Sequence, residues 1–494
     1  MNKKLNYRKT ELIMKKEIGI KQFLMKHADG NPVSFHMPGH KGPEIYRKYG
    51  YGEFLDRMTE FDITEIPGAD NLFQAEGIIL DTMKKYKKLY EVRKSYLLVN
   101  GTSGGLISAI LSTVNRGEKI AIARNSHKSI FNAIVMGGLE PIYIYPEEIE
   151  ENHIAGIISP DAVKSIFEKN KNIKAVVIPS PNYYGICSDI CEVSKICHEN
   201  GAILIVDQAH GAHLKFMHRF GGELGEDYPM AAEDSGADIV VNSTHKTLAS
   251  FGQTAILNVC SDRVNLNALD DRLQQLESSS PSYMLMASLD INADLLLEHG
   301  KELMTAWAEN IEYFYASAYS IPGLEMVLAE GLDGTKINID MSSYGMVGSD
   351  LEKYLNKKGI FPELVTGNIV MCMTGIGNVR EDYDRLLKAL TEIVVSNNMI
   401  MLTREEVESA MGNITPWTKK LKRAKIPIEK EEIDIMNAEG RVCASSLIPY
   451  PPGIPICCPG EIISKEVIDY ILELRKNEEK VIGINEKQKI FVGK

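Results

Sequence analysis

From about residue 95 to residue 260, short apolar runs alternate with longer amphipathic ones. That is the pattern of repeated βαβ units and a mainly parallel sheet. The runs that read as strands are Tyr96–Val99, Lys119–Ala123, Ala175–Ile178, Ala202–Val206 and Asp238–Val241. Each leads into a polar segment: Asn-Gly-Thr-Ser-Gly-Gly (100–105), Arg-Asn-Ser-His-Lys-Ser (124–129), Pro-Ser-Pro-Asn-Tyr-Tyr-Gly (179–185), Asp-Gln-Ala-His-Gly-Ala-His (207–213) and Asn-Ser-Thr-His-Lys (242–246). Ligands of an open α/β sheet sit outside the carboxyl ends of its strands. The chain therefore aims five chemically loaded loops at one crevice.

The rest of the chain is less regular. Residues 30–75 hold Pro, Gly and acidic turns (His36–Gly42, Glu65–Asp70) and read as an ordered arm or covering loop. Helical periodicity runs from about residue 290 through Ala318, and a mixed region to about 400 offers Lys336–Asp340 and Ile369–Met373 as strands. Thr403-Arg-Glu-Glu reads as a capping box, and Pro449–Pro455 as a proline turn ahead of a helix over Ile462–Leu474. At 494 residues the chain exceeds one core. The expected division is an arm with active-site covering loops (1–75), a large domain (76–315), a small α/β domain (316–400) and a C-terminal domain (401–494).

Charge and cysteine usage narrow the partners. With 55 Lys and Arg against 67 Asp and Glu, the net charge is −12, which argues against nucleic acid or an anionic membrane. The basic opening (Lys3, Lys4, Arg8, Lys9, Lys15, Lys16) is interrupted by Glu11 and Glu17, so it reads as an amphipathic helix rather than a signal peptide. No apolar run has the length of a membrane span. Eight cysteines without an export signal imply reduced thiols and a cytoplasmic location. Cys187, Cys191, Cys197 and His198 raise the question of a metal, but their flanks have helical periodicity and the CxxC pairs of structural zinc are missing, so no metal is expected.

Three of the loops carry chemistry that fits together. Asn100–Gly105, Thr102, Ser103 and Gly104 included, follows a strand and precedes an apolar helix at Leu106–Val114, where amides, hydroxyls and the helix dipole suit a phosphate. By itself it could equally be a structural Gly turn. Asp207 ends an apolar strand, where a carboxylate needs a cation or serves as a helix cap. Lys246 ends the next strand between apolar segments, a setting for a Schiff-base lysine rather than a solvated one. A phosphate cradle, a buried acid and an amine describe a pyridoxal phosphate site.

On these residues, together with Met37-Pro-Gly-His-Lys-Gly, Ser126-His-Lys-Ser, Ser280-Pro-Ser-Tyr and Ile448-Pro-Tyr-Pro-Pro-Gly-Ile-Pro…Pro-Gly-Glu461, the chain resembles the bacterial Orn/Lys/Arg decarboxylases. It is most similar to the shorter arginine/lysine enzymes without a wing domain. The resemblance implies an α/β fold of fold-type I (aspartate aminotransferase-like), with a mainly parallel seven-stranded sheet in the large domain and smaller α+β C-terminal domains. It implies Lys246 as the residue carrying pyridoxal 5'-phosphate, Asp207 on the pyridine nitrogen, His127 stacked on the ring and Ala209 against its other face. Phosphate ligands would be Thr102, Ser103, Ser243 and His245, with Ser278 and Ser279 reaching the partner's phosphate in a homodimer or a multiple of dimers. His245 or Lys246 would return a proton to Cα. His210 sits at a cofactor-binding position often aromatic in the longer enzymes. His40, Lys41 and Glu461 would meet the substrate, Glu461 receiving its distal cation unless it only caps the helix that follows. The implied reaction is decarboxylation of a basic amino acid, arginine to agmatine first and lysine or ornithine as alternatives, feeding polyamine synthesis. An aminotransferase of the same fold and a non-enzymatic pyridoxal-binding regulator are the rival readings; the proline-rich tail argues against the first, and retention of Lys246 and Asp207 against the second.

Overall fold

The structure, a computed structural model, describes residues 19–149, 154–396, 401–403, 406–407, 420–450, 453–476 and 479–494. The basic opening and most of the helix expected after Thr403 lie outside these residues, although Thr403 and Glu406 do exchange the bonds of a capping box. A seven-stranded sheet forms the centre of the molecule. Its strands are β1 (Lys94–Leu98), β2 (Lys119–Ala123), β3 (Glu140–Ile144), β4 (Ile173–Pro179), β5 (Ile203–Asp207), β6 (Ile239–Asn242) and β7 (Ala255–Val259). They lie in the order β1-β7-β6-β5-β4-β2-β3, all parallel except β7, which runs against both β1 and β6. Strands buried on both faces lose the polar alternation of half-exposed ones, and β4, β5 and β6 accordingly read as nearly unbroken Ile, Val, Leu and Ala.

The five strands expected from the sequence are present, Lys119–Ala123 to the residue and the other four with ends shifted by one or two, and β3 and β7 complete the sheet. Asn100–Gly105 is not a loop ahead of a helix. The helix already starts at Gly101 and runs to Thr113, so Thr102, Ser103 and Gly104 form its first turn. Gly105 then lets the helix lie against the sheet, since a Cβ there would stand 2.5 Å from the Leu98 side chain and 2.9 Å from that of Val241. Asp189 caps the helix Ile190–Glu199, which buries Cys197 and turns Cys191 to solvent, while His198 bonds to Asp238 at 2.9 Å.

A 36-residue helix, Tyr283–Ala318, capped by Ser282, packs between the large sheet's helices and a four-stranded antiparallel sheet containing Lys336–Asp340 and Ile369–Met373. One apolar cluster extends from Val33 to Val394 across this helix. Residues beyond 430 build a separate cluster around Ile435, Val467, Ile471 and Val492. Their helix is Lys465–Lys476, starting three residues later than expected, with Ser464 accepting from the Val467 amide at its entry. Among the described residues, no helix is long and apolar enough to cross a membrane, and no cluster of metal-ligating side chains is present.

Residues 36–42 are seated directly on the turn after β6. The Gly39 amide donates to the His245 carbonyl at 2.7 Å, and the Gly377 amide donates to the Gly39 carbonyl at 3.0 Å. A Cβ on Gly39 would fall 2.3 Å from the Thr247 carbonyl carbon, a backbone atom that cannot swing aside. Gly39→Ala is therefore expected to unseat this segment. Limited proteolysis should cut within residues 30–45 faster than in the parent while far-UV circular dichroism stays the same.

Candidate active site

The carboxyl ends of β1, β2, β4, β5 and β6 open on one cleft. Thr102 follows β1, Asn125 and His127 follow β2, and Pro181, Asn182 and Tyr183 follow β4. Asp207, Ala209 and His210 follow β5, and Lys246 follows β6; all line the cleft. The five loops marked in the sequence thus converge.

Lys246 is enclosed. Its Nζ lies 2.9 Å from His210 Nε2 and 5.8 Å from the centre of the Tyr183 ring. Burial pulls its pKa below the usual lysine range, with Lys336 adding to the effect and Asp207 and Glu363 opposing it. An amine so placed is readily deprotonated, as a nucleophile requires. Asp207 is buried, and among the described residues its Oδ1 accepts only the Ala209 amide, at 3.2 Å. Burial raises its pKa, while Lys246 and that amide hold it down. A carboxylate with one neutral donor at the floor of a cleft is suited to a cation.

Burial favours the neutral form of the histidines at the cleft. Burial and the nearby Lys246 push His127 down to about 3, and its Nδ1 caps the following helix by accepting from Ser129. That leaves a flat, uncharged ring beside the cleft. Burial takes His245 to about 4, and its Nδ1 lies 2.6 Å from the Thr254 carbonyl. The ring proton therefore sits on Nδ1 and Nε2 is an acceptor, the wrong polarity for donating to a phosphate. Thr102 and Ser243 bring their hydroxyls within 3.2 Å of each other at the first turn of the helix Gly101–Thr113, so donors from two strands meet where an anion fits. Ser278 and Ser279 are exposed and do not line this chain's own cleft.

Three expected substrate contacts lie elsewhere. Glu461 is fully buried in an ion pair with Arg124, which donates from Nε at 3.0 Å and from Nη2 at 2.9 Å, while the Cys458 amide donates to Oε2 at 2.8 Å. It neither faces the cleft nor caps the helix after it, because a residue at the end of β2 has already supplied its cation. Lys41 spends its ammonium on the carbonyls of His36 and Met373, and burial lowers its pKa to about 7. The His40 ring packs on Tyr46 and Phe251, and its Nδ1 bonds to Gly42. Both brace the covering segment instead of opening on the cleft.

Two side chains went unnoticed in the sequence. Arg124 ties the C-terminal region to β2, donating also to the carbonyls of Pro455 and Ile456. Glu363 follows the strand Ile360–Pro362, which pairs with Val33–Phe35, and accepts the Met37 amide at 2.9 Å. Among the described residues no cation stands within ion-pair distance of it, yet it lies in the electrostatic reach of Lys246, Lys41 and Tyr183. Burial raises its pKa. Neither residue belongs to a local motif; each is placed by a partner distant in sequence.

The fit to pyridoxal phosphate rests on what is left unsatisfied. Asn125 Oδ1 and His210 Nδ1, on two cleft-lining residues, are buried without hydrogen-bond partners among the described residues. With an enclosed amine, a lone carboxylate and hydroxyls at a helix start, they match a ring carrying an aldehyde, a protonatable nitrogen and a phosphate. Fold and cleft together define a fold-type I pyridoxal phosphate enzyme.

Comparison with known proteins narrows the class. Family descriptions match over residues 20–320 (Orn/Lys/Arg decarboxylase, major domain) and 404–489 (Orn/Lys/Arg decarboxylase, C-terminal domain). The arginine decarboxylase of Bacillus subtilis strain 168 is 32% identical, covering 91% of this chain and 92% of its own. The lysine decarboxylase of Pseudomonas aeruginosa is 22% identical over 91% of this chain and 74% of its own. The solved structure of the E. coli constitutive lysine decarboxylase superposes with a TM-score of 0.72 at 19% identity, over 96% of this chain and 81% of that one. The chain belongs to the Orn/Lys/Arg decarboxylase family, whose members are carboxy-lyases, and its cofactor is pyridoxal phosphate.

The buried ion pair gives a stability prediction. Glu461→Gln leaves the Arg124 guanidinium uncompensated and should cost about 3–5 kcal/mol. Arg124→Met combined with Glu461→Leu should recover much of that loss. Thermal unfolding of the single and double variants, followed by fluorescence, reads both.

Proposed function

We propose that this enzyme decarboxylates a basic amino acid, arginine to agmatine in the first place and lysine or ornithine in the second, as a cytoplasmic step feeding polyamine synthesis. The observation that carries the reading is the enclosed Lys246 facing the lone carboxylate Asp207 in a cleft built by five strand ends. The order of substrates rests on relatives: four at 29–32% identity are named arginine decarboxylases, one at 33% carries no named activity, and those at 22–24% are named lysine or ornithine decarboxylases.

Bound pyridoxal phosphate supplies an electron sink for the pair released at Cα as CO₂ departs. The protein does the rest. Lys246 provides the amine that holds the cofactor and returns the proton to Cα; His245, neutral and with its ring proton held by the Thr254 carbonyl, has none to give. Asp207 keeps a positive charge on the ring nitrogen, without which the sink fails. His127 and Ala209 close the two ring faces. Thr102, Ser103 and Ser243 bind the phosphate, helped by first-turn amides at Gly104. Ser278 and Ser279, exposed in the single chain, complete the partner's phosphate site in a homodimer.

With Glu461 paired internally, the substrate's distal cation goes to Glu363. A half-buried carboxylate with no counter-ion among the described residues gains from one that arrives, and a guanidinium or ammonium supplies it. Glu363→Gln should raise KM for arginine by about 30-fold or more, the value of a buried charge contact. Its melting temperature should stay level or rise, since an uncompensated charge is removed. Unchanged KM for all three basic amino acids would exclude the assignment. Lys246→Ala should lose both CO₂ release and the borohydride-reducible visible band; turnover at the parent rate would overturn the proposed reaction.

A further inference from the structure

Beneath the cleft lies a cluster of ionisable groups that the reaction as described leaves unused. Lys336 and Asp333 are both wholly buried. The Lys336 ammonium places its three donors on Asp333 Oδ2 at 2.7 Å, Thr335 Oγ1 at 2.9 Å and the main-chain carbonyl of His210 at 2.7 Å. Asp333 also receives the Thr335 amide and His213 Nε2, at 3.0 and 3.2 Å. The other nitrogen of His213 reaches the Thr247 hydroxyl at 3.2 Å. One cluster therefore grips the main chain of His210 and, through His213, the residue next to Lys246. Between those two anchor points is the 2.9 Å contact of His210 Nε2 with Lys246 Nζ.

We propose that the Asp333–Lys336 pair is a positioning device for the reaction: by pinning the His210 carbonyl it aims the His210 ring at the Lys246 amine. A buried ion pair is weak support for stability, since apolar side chains of the same volume often do as well. What apolar side chains cannot do is donate to one particular carbonyl. The packing is tight where that donation is made. Gly185 passes so near the Lys336 stem that a Cβ there would stand 2.8 Å from it. On the cleft side the Tyr183 ring lies 4.7 Å from that of His210. As Nε2 accepts a hydrogen bond from the ammonium, the ring's own proton is on Nδ1, the buried atom without a partner among the described residues. The ring so aimed accepts from the ammonium form of Lys246 and favours it. Also facing Lys246 are Asp207, Glu363 and Lys336; facing His210 are Lys336, His127 and Asp333.

The inference rests on Lys246 being the cofactor-bearing amine, and one experiment separates the two. Apoenzyme is mixed with pyridoxal phosphate across a range of pH, and the growth of the visible band is timed. The midpoint reports deprotonation of the receiving amine. The charge-neutral variant Lys336→Met/Asp333→Asn avoids leaving a lone buried charge, and its melting temperature checks folding. The Lys336 charge, which depresses the amine, leaves together with its Asp333 counter-charge, so the midpoint should still fall by about one pH unit as the ammonium loses its acceptor. His210→Phe should show the same fall, and the three substitutions together no more than either, as expected for groups acting in series. An unchanged midpoint in the folded charge-neutral variant, or shifts that add in the triple variant, would overturn the proposal. A borohydride-reducible band that persists in Lys246→Ala would instead overturn the choice of amine.

Discussion

Asp207 is ionisable, buried and at the end of a strand, and most of the cleft follows from accommodating it. Water solvates a carboxylate far better than an apolar sheet edge does, so the surroundings must return what burial removes. Here the return is incomplete by design: one amide on Oδ1, the charge of Lys246 nearby, and an open face. The parallel sheet makes this possible. Its strand ends present five loops on one edge, so an acid, an amine and hydroxyls from distant stretches can meet without any of them leaving its own βα turn.

The C-terminal region completes the enclosure by a different means. Arg124 leaves the end of β2 and is consumed by Glu461 and two carbonyls of the 455–456 segment. The same region brings Gly453, with φ at +91°, against the His127 ring, where a Cβ would sit 3.5 Å from it, and receives the Lys128 amide on its carbonyl. The ring proposed to cover the cofactor is thus backed by chain from a separate apolar cluster. Ion pair and glycine act together as a wall.

The sequence spoke clearly where chemistry and periodicity were local. The strands at 119–123, 336–340 and 369–373 match their apolar runs to the residue, because a buried strand has no other way to be written. The motifs around Asp207 and Lys246 were legible because strand ends carry their functional groups with them. Glu461 misled for the complementary reason. Nothing near it in sequence announces that Arg124 has claimed it, and the same proline turns would serve a substrate loop or a buried wall. Glu363 stayed hidden because its significance lies in lacking a cation, which only a folded neighbourhood can reveal. The Gly-rich stretch at 100–105 looked like a loop by composition, yet Gly101 at φ +71° lets the helix begin there.

Arg124 and Glu461 stand 337 residues apart in the chain. At ribosomal speeds of about 5–20 residues per second, the guanidinium waits roughly 15 to 70 s before its carboxylate has been synthesised. During that interval the sheet can assemble while its functional edge remains wet and unroofed. A nascent protein in this state offers its cofactor crevice to solution before the last stretch of polypeptide shuts against it. The order of synthesis thus makes this wall the last part of the cleft to be built.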